Sequence, residues 1–239
     1  MRPQAVSCPE VCVSRRRHSG WHWLGLLALA GLPVGCGGPA VADLQNNVVA
    51  LVVTAVSSAP EVAAVSEHAG GHVVTRAFIN ASSLRLLPCS EDAANITLPA
   101  RGYDLLAEQL PAEEVTTAVT ELCGIRIDID PIAQNDVEGV PEDTAVYLQG
   151  TKADGTPFEL RSSLSVSLLL EAESGESFGE LPLLLGFDVG VWLANINPTN
   201  VAAPERLEEK TKASAAIYVD ANDNQVWDAD ERTPVARVR

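Results

Sequence analysis

The sequence predicts an all-β protein whose strands pack as a β-sandwich, with one or two short helices. Apolar and polar residues alternate with a period of two along many short segments, which is the pattern of strands with one buried and one wet face. Turns that contain glycine or proline separate these segments at regular spacing, as in sandwich folds. No internal repeat is visible in the chain. A single domain built from strands is therefore expected.

The strand pattern is clearest at 125–130, where three isoleucines alternate with charged residues until Pro131 ends the run. Residues 163–168 alternate in the same way, with serines on the polar face. The almost wholly apolar run at 47–57 predicts a nearly buried strand. The full set of predicted strands is 47–57, 72–87 (as one strand or two), 125–130, 147–150, 158–161, 163–168, 215–219 and 235–238.

Two segments favour helices. Pro111 and the glutamates that follow it are typical of a first helical turn, which predicts a helix over 111–122. The segment 187–193 places three apolar residues on one helical face, which predicts a second, shorter helix.

Three arginines, a short apolar run and a cysteine follow one another in the first 36 residues. Arg15–Arg17 lead into the uncharged residues 21–34, and the run closes with Leu-Pro-Val-Gly-Cys36. A membrane-spanning helix needs about 20 apolar residues. This run is shorter and contains Pro33, so a signal peptide is the better interpretation. The order resembles a bacterial lipoprotein signal peptide, which implies that Cys36 is the lipidated first residue of the mature protein.

This interpretation divides the chain into a lipoprotein signal peptide at 1–35, a flexible tether at 36–45 and a β-sandwich domain at 46–239. Pro33 stands where the lipoprotein pattern usually has leucine, so cleavage by the ordinary signal peptidase stays an alternative. The predicted location is the bacterial cell envelope. There the domain is anchored by lipid at the outer membrane and faces either the cell surface or the periplasm.

The charge of the chain excludes one class of partner. The sequence has 32 acidic and 16 basic residues, a formal net charge of −16 at pH 7. Such a charge repels the phosphates of nucleic acids and favours cations, so no nucleic-acid partner is expected. Hydrophobic residues make up 46% of the chain, which is too many for a wholly disordered protein.

The predicted mature protein has two cysteines besides Cys36, at Cys89 and Cys123. In an oxidising envelope, two such cysteines usually pair, which predicts a disulfide. Neither has another cysteine or a histidine within a few residues, so a zinc finger is excluded. Two buried free thiols are the alternative.

An acidic segment near the C-terminus has the ligand spacing of an EF-hand calcium loop. Within 220–231, oxygen ligands fall at the positions that such a loop uses. The predicted calcium ligands are the side chains of Asp220, Asn222, Asn224, Asp228 and Glu231 and the main-chain carbonyl of Val226. Gln225 replaces the usual turn glycine, and a strand instead of a helix is predicted before the loop. An acidic turn that binds no specific ion is therefore the alternative.

Two other patterns are interpreted as turns. Gly175–Gly179 matches the G-x-S-x-G elbow of serine hydrolases, but every histidine of the chain precedes it. His68 and His72 have two glycines between them and lack the glutamate of a metalloprotease motif. Asp128, Asp130 and Asp136 could form a carboxylate cluster, but alternation places Asp128 and Asp130 on the wet face of a strand, so solvated charges are the better interpretation. No catalytic residue is predicted, and the protein is not expected to be an enzyme.

Four short segments carry a family resemblance. They are Ser83–Leu86, Gly102–Leu106, Gly124–Ile127 and Gly186–Leu193. They are similar to a family of bacterial envelope lipoproteins of unknown function with a transthyretin-like or immunoglobulin-like β-sandwich. The 220–231 loop resembles the calcium loops of β-sandwich modules in bacterial surface proteins. The resemblance implies the fold and the envelope location, and it implies no known activity.

These observations lead to one functional hypothesis and one alternative. The first is a non-catalytic, lipid-anchored envelope or surface protein with a structural or protein-binding role, stabilised by calcium. Its partners would be the membrane, through Cys36, and an envelope protein or glycan that the sequence does not identify. The alternative is a carbohydrate-binding or adhesive module, which would require an exposed aromatic patch.

Overall fold

The computed structural model describes residues 47–56, 72–107, 110–131, 137–172, 177–178, 182–194, 196–197, 203–224, 227–228, 231 and 233–238. The predicted signal peptide, the tether and Cys36 lie outside the described residues.

Twelve strands and two helices lie within this part of the chain. The strands are β1 (Asn47–Val56), β2 (Val73–Pro88), β3 (Ile96–Leu98), β4 (Arg101–Asp104), β5 (Glu113–Thr117), β6 (Leu122–Ile129), β7 (Val146–Thr151), β8 (Pro157–Ser162), β9 (Val166–Ala172), β10 (Leu183–Asp188), β11 (Ala215–Val219) and β12 (Ala236–Val238). The helices are α1 (Val189–Leu193) and α2 (Ala203–Ser214).

The strands form one curled sheet. Ten of them lie in the order β5–β1–β10–β11–β12–β9–β6–β2–β7–β8, and β3 and β4 pair with β2. β1 and β10 are parallel, and the other pairs are antiparallel. The long strand β2 changes partners at Ala81: it pairs with β7 and β4 before this residue and with β6 and β3 after it. An irregularity between Ala81 and Ser83 accompanies the change, as expected where a bulge bends a strand.

Leu105, directly after β4, connects two distant parts of the sheet. Its N–H donates to the carbonyl of Ala77 in β2 (2.7 Å), and its carbonyl accepts from the N–H of Ala55 in β1 (3.1 Å). The guanidinium of Arg101 in β4 also forms an ion pair with Glu113 in β5. The sheet therefore curls until β4 lies beside β1 and β5.

The main hydrophobic core fills the inside of the curl. Alternate residues of the strands point into it, and Ile79, Ile127, Leu168 and Leu185 are fully buried there. A second, smaller cluster lies on the opposite face of three strands and consists of Val52, Val56, Leu184, Ala216 and Tyr218. The two clusters bury both faces of β10, which explains its unbroken apolar run.

The two helices are joined through a side-chain hydrogen bond. Asp188 caps α1 because its Oδ1 accepts from the N–H groups of Gly190 (2.9 Å) and Val191 (3.3 Å). Trp192 of α1 is fully buried, and its Nε1 donates to Oγ of Ser214 at the end of α2 (2.6 Å). This contact satisfies the one polar atom of the indole inside the core.

Most of the predicted strands are confirmed. The predictions at 47–57, 72–87 and 125–130 correspond to β1, β2 and β6, and four of the shorter ones correspond to β7, β8, β11 and β12. The prediction at 163–168 begins before β9 and ends within it. The predicted helix at 187–193 corresponds to α1.

The predicted helix over 111–122 is wrong, because residues 113–117 form β5. Val115, Thr116 and Thr117 are β-branched and favour strands. Pairing with β1 then gives their backbone the hydrogen bonds that a helix would have supplied. The sequence pattern also misses α2, β3, β4 and β10, and the last two residues of β10 fall within the predicted helix at 187–193.

The structure confirms a β-dominated class with short helices. The sandwich type stays a prediction, because the described strands belong to one continuous hydrogen-bonded sheet. Within the described ranges, no helix is both long and apolar enough to cross a bilayer.

Candidate functional site

Cys89 and Cys123 form a disulfide, as predicted. Their Cα atoms are 4.8 Å apart, within the range that such a bond needs. Cys89 follows the last residue of β2, and Cys123 is the second residue of β6. The N–H of Cys89 also donates to the carbonyl of Glu121 (3.1 Å). The bond therefore staples the ends of two neighbouring strands.

The predicted calcium loop begins directly after β11 and leads towards β12. Its first and last predicted ligands, Asp220 and Glu231, are buried, with 1% and 4% of their surface exposed. The N–H of Asp220 donates to the carbonyl of Pro182 next to β10 (3.0 Å). Val226 lies outside the described residues, so the structure does not place its carbonyl.

Four of the predicted ligands are held together by hydrogen bonds. The N–H of Asn224 donates to both Asp220 Oδ1 and Asn222 Oδ1, each at 3.1 Å. The amide nitrogens of Asn222 and Asn224 both donate to Asp228 Oδ2, at 2.7 and 3.3 Å. Asp223 turns the chain with a positive φ of 55°, which aspartate tolerates better than most residues. The loop therefore folds its oxygen-bearing side chains towards one another.

Glu231 closes the loop from its far end. Its Oε1 accepts from the N–H of Ala221 (2.9 Å), and its Oε2 accepts from the N–H of Asp228 (3.3 Å). Burial raises the pKa of Glu231 above its ordinary value, and the negative charges of Asp228 and Asp220 raise it further. The two N–H donors oppose this shift but do not cancel it. Three carboxylates thus share a partly dry environment.

The donor chemistry of the loop fits calcium, although its present geometry is that of a hydrogen-bonded turn. In the described part of the chain, no group of three or more His, Cys, Asp or Glu side chains is placed to hold a metal ion. Calcium also accepts amide and main-chain oxygens, and Asn222 and Asn224 would supply two of these. Five of the six predicted ligands are thus described and lie on one tight loop.

An aromatic contact fixes the loop to the sheet. The rings of Trp227 and Tyr218 meet edge to face, with their centroids 6.4 Å apart. Tyr218 belongs to the smaller hydrophobic cluster, against which Trp227 packs. A change in the conformation of the loop would therefore change the environment of the Trp227 indole.

The other candidate residues in the described part of the chain do not come together in one site. Ser177 is exposed, and the glycines of its G-x-S-x-G segment lie outside the described residues. His72 packs its ring edge against Phe158 (6.1 Å between centroids), whereas His68 lies outside the described residues. The absence of enzyme activity stays a prediction.

Asp128 and Asp130 bind nearby hydroxyl groups. Asp128 Oδ1 accepts from Oγ of Ser167 (2.6 Å), and Asp130 Oδ2 accepts from Oγ of Ser82 (2.5 Å). Hydrogen bonds from Ser165 and Ser82 lower the pKa of Asp130 below its ordinary value. Both carboxylates are therefore partnered on the surface of the sheet.

The sequence pattern missed a pair of arginines on the outer face of β2 and β6, at Arg85 and Arg126. They lie directly opposite one another in the strand register. Each falls on the polar side of an alternating strand, but only the register brings the two together. No local signal in the sequence could have found this pair.

Comparisons with known proteins add little. No protein-family model and no curated protein matches the chain. A solved structure, MbnP from Methylosinus trichosporium, aligns over 59% of this chain and 76% of its own, with 8% identity and a TM-score of 0.37. At that distance, the function has to be argued from the residues of this chain.

Proposed function

We propose that the protein is a non-catalytic, lipid-anchored protein of the bacterial cell envelope with a structural or protein-binding role, stabilised by calcium in the 220–231 loop. The observation that supports the calcium part is that hydrogen bonds link Asp220, Asn222, Asn224 and Asp228 within that loop, while Glu231 binds two of its main-chain N–H groups. The anchor rests on the order of arginines, apolar run and Cys36 in the sequence.

Calcium would act on the strands at both ends of the loop. Asp220 follows β11 and its N–H donates to the carbonyl of Pro182, the residue before β10, and Glu231 precedes β12. Burial and, to a smaller extent, the charges of Asp228 and Asp220 raise the pKa of Glu231, and a cation bound between these carboxylates would offset both effects. It would also replace the amide nitrogens of Asn222 and Asn224 as the partner of Asp228. The expected effect is a stiffer connection between β11 and β12.

A protein-binding role is favoured over the carbohydrate-binding alternative by the aromatic residues. Every phenylalanine and tyrosine of the chain is buried, and so is Trp192. Trp227 is partly exposed but packs on Tyr218. The described surface thus offers no broad aromatic platform on which sugar rings could stack. The sandwich type is also part of the proposal, because strands that are distant in the sheet pack around one core.

A terbium titration tests the calcium part directly. Terbium occupies oxygen-rich calcium sites and luminesces when a nearby indole transfers energy to it, and Trp227 lies within the loop. We expect luminescence that calcium displaces at about 10⁻⁴–10⁻³ M, the range of extracellular modules. The same calcium should raise the melting temperature.

Two variants make the titration specific. Asp220→Asn should weaken terbium and calcium binding by tenfold or more, because it removes a buried charged ligand. Asp154→Asn removes the same charge from the exposed turn between β7 and β8 and should leave binding unchanged. If both variants bound terbium and calcium equally well, or if calcium left the melting temperature of the wild type unchanged, the loop would be an acidic turn that binds no specific ion.

A further inference from the structure

The outer face of the sheet carries two arginines side by side. Arg85 of β2 and Arg126 of β6 are register partners, and both alternate with residues that point into the core. Thr97 of β3 lies beyond Arg85, and Leu169 of β9 lies beyond Arg126. These four residues cross four strands in one line, and we call them the arginine row.

The row is open to solvent at its centre and at one end. The side chain of Arg126 is 48% exposed, and Leu169, one of the few large apolar residues on the described surface, is 39% exposed. Thr97 is exposed, and Arg85 is half-buried. Solvent therefore reaches Arg126 and Leu169 directly, and it reaches Arg85 in part.

The positive charges of the row are incompletely neutralised. Arg126 Nε lies 3.4 Å from Asp128 Oδ1, and this carboxylate also accepts from Ser167. Arg85 Nε donates to Oγ of Ser83 (3.0 Å), which is a neutral acceptor. Among the described residues, no carboxylate forms an ion pair with Arg85. Arg126 thus shares Asp128 with a serine, and Arg85 has only a neutral acceptor. Glu171 of β9 lies on the same face, opposite Gly124 and two residues from Leu169.

This arrangement is unfavourable for the isolated protein. Like charges directly opposite one another on neighbouring strands are destabilising. The chain has twice as many acidic as basic residues. Even so, none of the described carboxylates forms an ion pair with Arg85. Arg126 also donates from Nη2 to Oγ of Ser167 (3.4 Å). An anionic group from outside the chain would relieve the repulsion and accept from the guanidinium N–H groups that these neighbours do not use.

We propose that the arginine row is a docking surface for an acidic, extended segment of a partner protein, whose carboxylates bind Arg85 and Arg126. In an extended segment, every second side chain lies on the same face, about 6.5–7 Å from the next. Successive carboxylates on one face could therefore bind the two guanidinium groups. Leu169 and Thr97 would contact the rest of the segment.

The net negative charge of the whole protein repels an acidic segment at long range, so docking requires that this repulsion be screened. At physiological ionic strength, charges are screened beyond about 8 Å, so contacts at the row persist while long-range repulsion fades. A peptide segment is favoured over an acidic glycan because its apolar side chains could contact Leu169, which is exposed at the end of the row. The inference deepens the protein-binding part of the proposed function and needs neither the anchor nor calcium.

A binding experiment tests the row. The probe is a fluorescent peptide about ten residues long that alternates glutamate and threonine, so that its carboxylates share one face. Its neutral counterpart alternates glutamine and threonine. The fluorescence anisotropy of each peptide is measured in the absence of calcium. The protein used is the mature form that cells produce. We expect the acidic peptide to bind and the neutral one not to bind.

Matched variants assign the binding to the row. Arg85→Gln and Arg126→Gln should each weaken it by about tenfold or more, because each removes charge-assisted hydrogen bonds to a carboxylate. Arg161→Gln removes the same charge from an exposed position on β8 and should have no effect. Arg85→Lys keeps the charge but loses the planar fork, and it should bind weakly while folding normally.

Three outcomes would overturn the proposal. The first is the absence of acidic-peptide binding, or a loss of binding that is equal in the Arg161→Gln control. The second is an oligogalacturonate that binds through Arg85 in place of the peptide, which would identify a glycan surface. The third is self-association that Arg85→Gln abolishes, which would make the occupant a second copy of this chain. None of them bears on the calcium titration, so the two proposals can fail separately.

Discussion

Asp220 and Glu231 are carboxylates buried at the two ends of one loop. Burial of a carboxylate favours its protonated form unless hydrogen bonds or a cation stabilise the charge. Main-chain N–H groups supply part of this stabilisation to Glu231. The raised pKa of Glu231 shows that the compensation is incomplete and gives the loop a dependence on pH.

The unfolding free energy should respond to pH through Glu231. Because its pKa is higher in the folded protein than in the unfolded chain, its contribution is fully present below the unfolded pKa and is lost as pH rises through the folded pKa. Without calcium, we therefore expect stability to fall over the range just above the ordinary pKa of glutamate. Urea denaturation of the wild type and of Glu231→Gln, in chelator, measures this. An unchanged pH profile in the variant would contradict it.

Gly150 is required by close packing, whereas Gly155 is required by its backbone angle. A Cβ at Gly150 would overlap the carbonyl oxygen of Val73 and lie 3.0 Å from the Phe158 ring. Gly155 has a φ of 81° and open space around it. We expect Gly150→Ala to lower the unfolding free energy by about 2–3 kcal/mol and Gly155→Ala by about 1 kcal/mol. Urea denaturation compares them, and an equal or reversed order would contradict the packing argument.

Among the elements of the fold, β2 determines most of the topology. It is the only described strand that pairs with four others, and it changes from β7 and β4 to β6 and β3 at Ala81. Its second half carries Arg85 and leads to Cys89. The disulfide thus holds the part of β2 that presents the arginine row.

Removal of the disulfide should destabilise the β2–β6 pair. The cysteines are 34 residues apart in sequence. Closing a loop of that size contributes about 3–4 kcal/mol in the chain-entropy model. The double variant Cys89→Ala with Cys123→Ala should lose about this much unfolding free energy in urea. Reductant should destabilise the wild type but not the variant; if it affected both alike, the assignment would be wrong.

At the scale of the whole molecule, hydrogen bonds at Leu105 bring β1 beside β4 and enclose the main core. The smaller cluster lies outside this enclosure and supports Trp227 and the loop. The proposed calcium loop and the arginine row lie on different strands. The protein could therefore be stabilised through one region and bind a partner through the other.

The proposed anchor determines where the whole molecule acts. Cys36→Ala should move the protein from the membrane fraction to the soluble fraction or leave it as an unprocessed precursor, because the lipidated residue is gone. Immunoblotting of fractionated cells measures both location and size. Cys12→Ala, which changes a cysteine inside the predicted signal peptide, is the control and should behave like the wild type. Unchanged partitioning and size of the Cys36→Ala protein would exclude lipidation at this residue.

The sequence by itself determined the β-dominated class, most of the strands, the cysteine pair and the candidate loop. Alternation along 125–130 is a local property, since each side chain there needs only one wet and one buried face. The loop residues are adjacent in sequence, and the cysteines were the two that remained after Cys36. These features could be predicted because they depend on neighbouring residues or on a simple count.

Only the tertiary structure decided which strands become neighbours. Residues 113–117 form β5 because β1 provides their hydrogen-bond partners. No local sequence pattern indicates that β1 lies beside them. Arg85 lies beside Arg126 because β2 and β6 pair in one particular register, and a shift by one residue would turn either side chain to the other face. Register and closure depend on residues far apart in the chain, which is why the arginine row and the contacts of Leu105 emerge only when the sheet is complete.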